Sequence, residues 1–271
     1  TGVRIGKIIG EELPMDPKKN VASVAVMAML KALKVEPNYG FEIEIHKNIK
    51  PGSGVGSSAA SGAGAVFAAN ELMGKPFSKY ELIPFAAEGE RAACGAPIAD
   101  NVAPALLGGF TLVKETDPIK VLELPSINGL YATIIHPQIE IKTSISRDIL
   151  PQTVNINDAV KQWANVGALI HALHMNDHAL FADSLKDYIV EPHRSKLIPK
   201  FEQVIKSAIN AGALGGGISG SGPSIFTFSK NLETAENVSL TIKDIYKNTN
   251  IPYHVYVSKI NDQGVKILKQ S

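Results

Sequence analysis

Residues 41–46, Phe-Glu-Ile-Glu-Ile-His, set apolar and charged side chains on opposite faces with a period of two, the pattern of a half-exposed strand. Ahead of it, Asp16-Pro17 offers an N-cap aspartate and a proline at the first helical position, so a helix is expected to run from there to about Leu33. Small and apolar residues from Ala59 to Leu72 predict a second helix, closed by Gly74. Ser78 and Glu81 have the spacing of a capping box and open a helix towards Cys94. Strands are predicted over 110–113 and 131–135, and Pro137 and Pro151 bracket an extended or irregular connection.

Beyond that connection the pattern becomes mostly helical. Helices are expected over 158–175, 179–188, 197–211 and 232–246, with strands at 225–228 and 254–258. Strands mixed with helices, without strict alternation, argue an α+β class. A chain of 271 residues fits two domains, here 1–145 and 146–271, divided at the proline-bracketed connection.

Composition narrows the function classes. With 45 % hydrophobic and 20 % charged residues the chain is globular. A net charge of +1 without a basic tail points to no nucleic-acid or membrane surface, and the most apolar helix, 21–33, is short and carries Lys31. The single Cys94 excludes an intrachain disulfide and fits a reducing cytoplasm; in Ala-Ala-Cys-Gly it reads as a small buried filler. His171, His174 and His178 recur at helical spacing and read as a helix surface or interdomain packing rather than a metal site, and Trp163 reads as core.

The chemistry is concentrated in two glycine-rich stretches. The first is Lys50-Pro51-Gly52-Ser53-Gly54-Val55-Gly56-Ser57-Ser58-Ala59-Ala60, which joins the strand at 41–46 to the helix that follows. Its glycines let the backbone fold tightly around a bulky group, and Ser57 and Ser58 stand at the helix start. Unpaired N–H groups and the positive end of the helix dipole suit a phosphate there. The stretch lacks the Gly-Lys-Ser/Thr ending of a Walker loop and the spacing of a dinucleotide fingerprint, and a flexible turn accounts for the glycines equally well. The second stretch runs Gly215-Gly216-Gly217-Ile218-Ser219-Gly220-Ser221-Gly222-Pro223-Ser224, between a predicted helix and a predicted strand. A helix C-cap with an elongated turn is the plain explanation, but two such stretches in one chain favour a site built around phosphate.

These stretches resemble a known family. Pro51 to Ala60 is similar to the central motif of the GHMP kinases, and Gly217 to Ser224 to their third motif. Within that superfamily the chain is most similar to the homoserine kinases. That likeness rests on Asp100-Asn101-Val102-Ala103-Pro104 followed by Leu107-Gly108-Gly109-Phe110, on Ser146-Arg147-Asp148-Ile149-Leu150-Pro151, and on Glu191-Pro192-His193-Arg194 with Leu197-Ile198-Pro199. It extends from about Pro14 to the C-terminus.

The resemblance implies an N-terminal domain like ribosomal protein S5 domain 2, a ferredoxin-like C-terminal domain, and ATP with Mg²⁺ as cofactors. It implies phosphorylation of the side-chain hydroxyl of L-homoserine to O-phospho-L-homoserine, a step of threonine biosynthesis, by a cytoplasmic enzyme, with a homodimer as one assembly. The family's first strand and hairpin are not found here, Thr1 to Gly10 resembling the end of that region, so the N-terminal strand region reads as missing and the edge of the strand at 41–46 is expected to be unpaired.

For individual residues, the resemblance implies that Lys50 to Ala60 cradle ATP, and that Glu90 ligates Mg²⁺ with help from Ser57 or Ser58. Glu88 reads as a solvated helix face. Asn101, supported by Asp100, would position the hydroxyl or phosphate. Arginine grips carboxylates through two parallel hydrogen bonds, and Arg147 and Arg194 are placed on the amino-acid carboxylate, with Thr143, Gly220 and Ser221 beside the substrate. Ile98 departs from the pattern, since members carry histidine two residues before the aspartate of this turn. Another small-molecule GHMP kinase, and a non-catalytic nucleotide- or metabolite-binding protein on the same fold, stay open as alternatives.

Overall fold

In a computed structural model, which describes residues 2–35, 39–141 and 143–268, the alternating segment at 41–46 is a strand with a partner. Strand β1 (Gly2–Ile9) pairs in parallel with β2 (Gly40–His46), from Gly2↔Gly40 to Ile9↔His46, with an irregularity between Ile5 and Lys7. The expectation of an unpaired strand at 41–46 is thus corrected along one edge. A parallel pair needs a crossover, and helix α1 (Val21–Leu33) supplies it. Ile5 and Ile45 bury their side chains with Ala22 of that helix.

Helix α1 begins later than Asp16-Pro17 suggests. The Asn20 side chain accepts from the Ala22 amide at 3.0 Å and is the cap, while Asp16 accepts from the Lys18 amide at 2.9 Å in a preceding turn. Helices α2 (Ser57–Leu72), α3 (Ile83–Cys94) and α4 (Val102–Leu107) follow, then an antiparallel hairpin of β3 (Phe110–Thr116) and β4 (Ile119–Leu124). Ser78 and Glu81 do bond reciprocally, at 2.8 and 3.3 Å, but they close the turn ahead of α3 rather than its first residue.

The core of this first unit joins Met29, Val66, Ala86 and Leu106 from the four helices. Helices α1 and α3 approach closely because Gly89 has no side chain; a Cβ there would lie 2.6 Å from the Val21 carbonyl oxygen. The unit comprises Thr1–Pro51, Gly56–Leu124 and Asn261–Ser271. Its C-terminal segment is tied in by the Val265 amide on the Ala105 carbonyl at 2.9 Å.

The second unit comprises Gly52–Val55 and Pro125–Ile260. It contains β5 (Tyr131–Pro137), α5 (Thr143–Asp148), α6 (Ile156–Met175), α7 (His178–Asp183) and α8 (Glu191–Arg194). After a 3-10 turn at Ser195–Leu197 come α9 (Phe201–Asn210), β6 (Gly215–Ile218), β7 (Ile225–Ser229), α10 (Leu232–Lys247) and β8 (Tyr253–Lys259). The sheet order is β6-β7-β5-β8, antiparallel throughout, which is the ferredoxin-like arrangement. Ile135, Ile225, Val204, Val238 and Ile242 fill the core beneath it. The buried Tyr246 keeps its hydroxyl satisfied by donating to the Pro199 carbonyl at 2.7 Å.

The α+β class with two domain-like units therefore stands, and several local expectations do not. The connection between Pro137 and Pro151 contains helix α5, and the triple glycine is strand β6 rather than a turn. Helix α7 ends at Asp183, short of Tyr188, and α9 starts at Phe201, not Leu197. Trp163 is 63 % exposed on α6, and Cys94 is exposed, so neither is core. His178 opens α7 and does not share a helix with His171 and His174. Among the described residues no helix is long and apolar enough to cross a membrane.

Candidate active site

Strand β2 runs out at His46, and the next residue, Lys47, turns inward. Its ammonium is buried and donates to the Ser57 carbonyl and to the Ser61 hydroxyl, the latter at 2.7 Å. It thereby braces the first turn of α2 from behind. Burial lowers the Lys47 pKa, and the charge of Glu90 partly offsets that.

The turn into α2 depends on Gly56, at φ +68°, a left-handed conformation that a side chain strains. A Cβ at Gly56 would sit 3.1 Å from Asn101 Oδ1, so the Asn101 side chain lies against the start of α2. Asp100 Oδ1 accepts from the Asn101 backbone amide at 2.8 Å and from its side-chain amide at 3.3 Å, which orients Asn101.

Ser57 and Ser58 have different tasks. Ser57 is buried and donates its hydroxyl to the Ile49 carbonyl at 2.6 Å. Ser58, one residue further round the helix, donates to Glu90 Oε2 at 3.1 Å. Glu90 comes from the middle of α3 and is only 6 % exposed, with Oε1 buried and lacking a hydrogen-bond partner. Burial raises its pKa first, the Ser58 hydroxyl lowers it, Asp100 raises it and Lys47 lowers it. A buried carboxylate oxygen without a partner is costly unless a proton or a cation joins it. One carboxylate and one hydroxyl are the hard oxygen donors that Mg²⁺ takes alongside phosphate oxygens, so the residues present fit that ion. Of the two serines expected beside the metal, Ser58 is the one hydrogen-bonded to Glu90, while Ser57 turns to the Ile49 carbonyl.

In the second unit, Gly54 packs against the loop that follows β6. The Ser219 hydroxyl donates to the Gly54 carbonyl at 2.8 Å, and a Cβ on Gly54 would lie 2.5 Å from the Ser219 carbonyl oxygen and 2.7 Å from that of Gly222. The neighbouring Ser53 is buried with its hydroxyl unpartnered. Arg194 reaches the same loop, with Nε donating to the Ser146 carbonyl at 3.1 Å and Nη1 to the Gly220 carbonyl at 3.4 Å; the Ser146 hydroxyl meets the Ser221 carbonyl at 3.2 Å. Arg194, Gly220 and Ser221 are thus brought together. The side chains of Thr143 and Arg147 lie outside the described residues.

The chain is similar to known proteins over most of its length. Residues 20–109 match the model of the GHMP kinases N terminal domain, and residues 161–248 that of the GHMP kinases C terminal domain. The homoserine kinase of Chlorobium phaeobacteroides is 45 % identical over 265 residues, covering 96 % of this chain and 83 % of that protein. The chain belongs to the GHMP kinase family. The homoserine kinase of Methanococcus maripaludis is 41 % identical over 92 % of this GHMP kinase and 80 % of its own length. The crystal structure of homoserine kinase from Cytophaga hutchinsonii superposes with a TM-score of 0.92 at 49 % identity, covering 97 % of this chain and 84 % of that one. L. major mevalonate kinase, solved with R-mevalonate, shares the fold at a TM-score of 0.69 and 18 % identity, over 96 % of this chain and 83 % of its own.

Within this GHMP kinase the central motif is not uniform. Lys50, Pro51 and Gly52 are exposed, Val55 is half-buried, Ala59 is packed into the helical core and Ala60 faces outward from α2. Ile98 lines a surface concavity with Pro84, Arg91 and Ile119. Sequence reading gave no role to Lys47, whose burial no local pattern announces, nor to Glu191, which it met only as part of a motif; a lysine placed directly after a strand and before a glycine loop is the available hint for the first.

Proposed function

We infer that this GHMP kinase transfers the γ-phosphoryl group of ATP to the side-chain hydroxyl of L-homoserine, giving O-phospho-L-homoserine for threonine biosynthesis. The observation that carries the reading is the likeness, at 45 % identity over nearly the whole chain, to a homoserine kinase. The geometry supports it through the buried Glu90 oxygen beside Ser58 at the start of α2.

In this reading the first unit is the ATP-binding domain and the second the C-terminal domain; the division expected at 145/146 moves ahead of β5, which pairs with β7 and β8, and the segment after Ile260 goes with the first unit. Backbone amides from Gly52 to Ser58 hold the phosphates at the N-terminus of α2. Glu90 and Ser58 would hold Mg²⁺, which would supply charge neutralisation for phosphoryl transfer. Lys47 keeps the first turn of α2 rigid, and Asn101, oriented by Asp100, positions the acceptor hydroxyl. Arg194 and Arg147 receive the amino-acid carboxylate, with Thr143, Gly220 and Ser221 completing the acceptor subsite. Positioning and electrostatics are the main demands of phosphoryl transfer, so no strong general base is required of these residues. A cytoplasmic location fits the lone free Cys94, and a homodimer fits the apolar stripe of Ile156, Val160 and Trp163 exposed on α6.

The test is product identification. With ATP, Mg²⁺ and homoserine, phosphorus NMR should show a new phosphomonoester whose appearance depends on homoserine. ATP consumption without that resonance would overturn the assignment.

A further inference from the structure

Glu191 has no part in the roles above, yet it stands three residues before Arg194 in the short helix α8, and its side chain turns towards β6. The half-buried carboxylate faces the backbone amide of Ile218, the last residue of β6, which favours its charged form. It also lies against Gly217, where a Cβ would be 2.8 Å from Glu191 Oε2. The glycine strand is therefore shaped to admit this carboxylate. Glu191 is itself held from behind, because Asp187 accepts from the amides of Ile189 and Val190 at 2.8 Å each and from that of Glu191 at 3.2 Å.

The loop that leaves β6 is thus met twice by one helical segment. Glu191 packs its carboxylate against Gly217 and faces the Ile218 amide at the loop's entry, and Arg194 donates to the Gly220 carbonyl two residues after Ile218. We propose that Glu191 is a positioning residue for the acceptor subsite, which fixes the loop Ser219 to Gly222 in the register at which the Gly220 carbonyl meets the Arg194 guanidinium. This rests on the assignment of Arg194 to the substrate carboxylate.

The tie is sensitive to pH. Burial first, and then the charge of Asp187, push the Glu191 pKa up to about 7, against the Ile218 amide, which lowers it. Strand β6 is Gly-Gly-Gly-Ile and brings no titratable side chain, and Arg194 directs its donors at the Ser146 and Gly220 carbonyls. His193 and Lys196 are the remaining charged or titratable groups of α8 and the turn after it. An ionised carboxylate attracts a facing amide more strongly, so the hold of Glu191 on the entry of the loop weakens as pH falls through about 7.

The test compares Glu191→Ala and Glu191→Gln in the full chain, by hydrogen exchange of peptides covering 216–224 and by steady-state kinetics. Alanine should speed exchange in that peptide and raise the homoserine KM about tenfold, the scale of one charge-assisted hydrogen bond, with ATP KM changed less than about twofold. Glutamine, whose amide oxygen still accepts, should restore protection and KM and remove the change in protection between pH 6 and 8, after correction for intrinsic exchange. Unchanged exchange in the alanine variant overturns the proposal. So does a variant pair in which glutamine is no better than alanine and both substrates and the melting temperature suffer alike, because Glu191 then only holds the fold. If the unaltered protein fails to phosphorylate homoserine, the functional reading falls, while the exchange data still decide whether Glu191 sets the loop.

Discussion

Replacing Gly54 with alanine tests the central loop where the structure leaves least room. Gly54 sits at φ +82°, where an L side chain costs about 1–2 kcal/mol. The added Cβ would meet the carbonyl oxygens of Ser219 at 2.5 Å and Gly222 at 2.7 Å, well inside the ~3.3 Å closest C···O approach seen even in attractive contacts. Both obstacles are backbone, so no rotamer change relieves them, and the loop must part. Parting breaks the Ser219 hydroxyl's bond to the Gly54 carbonyl, worth about 1 kcal/mol. The total is about 2–3 kcal/mol, or about 30- to 150-fold in an equilibrium constant.

Gly56→Ala is the control. Its φ of +68° carries the same backbone strain, but its Cβ meets only the Asn101 side chain at 3.1–3.3 Å, which can turn aside. The expected loss is about 1–2 kcal/mol, or about 5- to 30-fold. Titration calorimetry with ATP and saturating Mg²⁺, beside thermal melting, reads both variants. Gly54→Ala should weaken ATP binding more than Gly56→Ala. Wild-type ATP affinity in Gly54→Ala would refute the reasoning, and a loss confined to melting temperature would make the loop a packing element without a role in nucleotide binding.

Two further outcomes follow from the same geometry. Glu90→Gln keeps the shape and removes the charge of the buried carboxylate, so the Mg²⁺ concentration for half-maximal activity should rise at least about tenfold; unchanged Mg²⁺ dependence returns Glu90 to a structural role. Arg194→Lys loses the planar fork that spans the Ser146 and Gly220 carbonyls, and homoserine KM should rise about ten- to a hundredfold with ATP KM nearly constant; equal shifts in both KM values would assign Arg194 to phosphate or to the fold.

The elements legible in the sequence were those with an unbroken period. Strands β2, β5, β7 and β8 and helices α2 and α10 each carry their pattern within one segment. Strand β1 hides because the irregularity between Ile5 and Lys7 shifts its alternation, and its partner lies 38 residues along the chain. Strand β6 hides because three glycines carry no side-chain signal; its existence is a matter of register with β7, where a Cβ on Gly216 could not clear the Phe226 carbonyl. Burial of single polar residues was equally invisible. Lys47 and Glu90 look like surface charges until the turn of α2 and the face of α3 close over them. Trp163 and Cys94 erred the other way, since an apolar or small residue says nothing certain about its own exposure. The motifs located Ser57 and Ser58, but only helix phase decides that Ser58 faces Glu90 while Ser57 turns back to Ile49.

The most direct test of the functional reading is kcat/KM by coupled ADP release, with homoserine, mevalonate and galactose as acceptors at saturating ATP and Mg²⁺. Homoserine should be preferred by at least about a hundredfold, the discrimination that paired charge-assisted contacts to a carboxylate and an ammonium provide over an acceptor lacking one of them. A higher kcat/KM for mevalonate or galactose, or no acceptor-dependent ADP release at all, would contradict it.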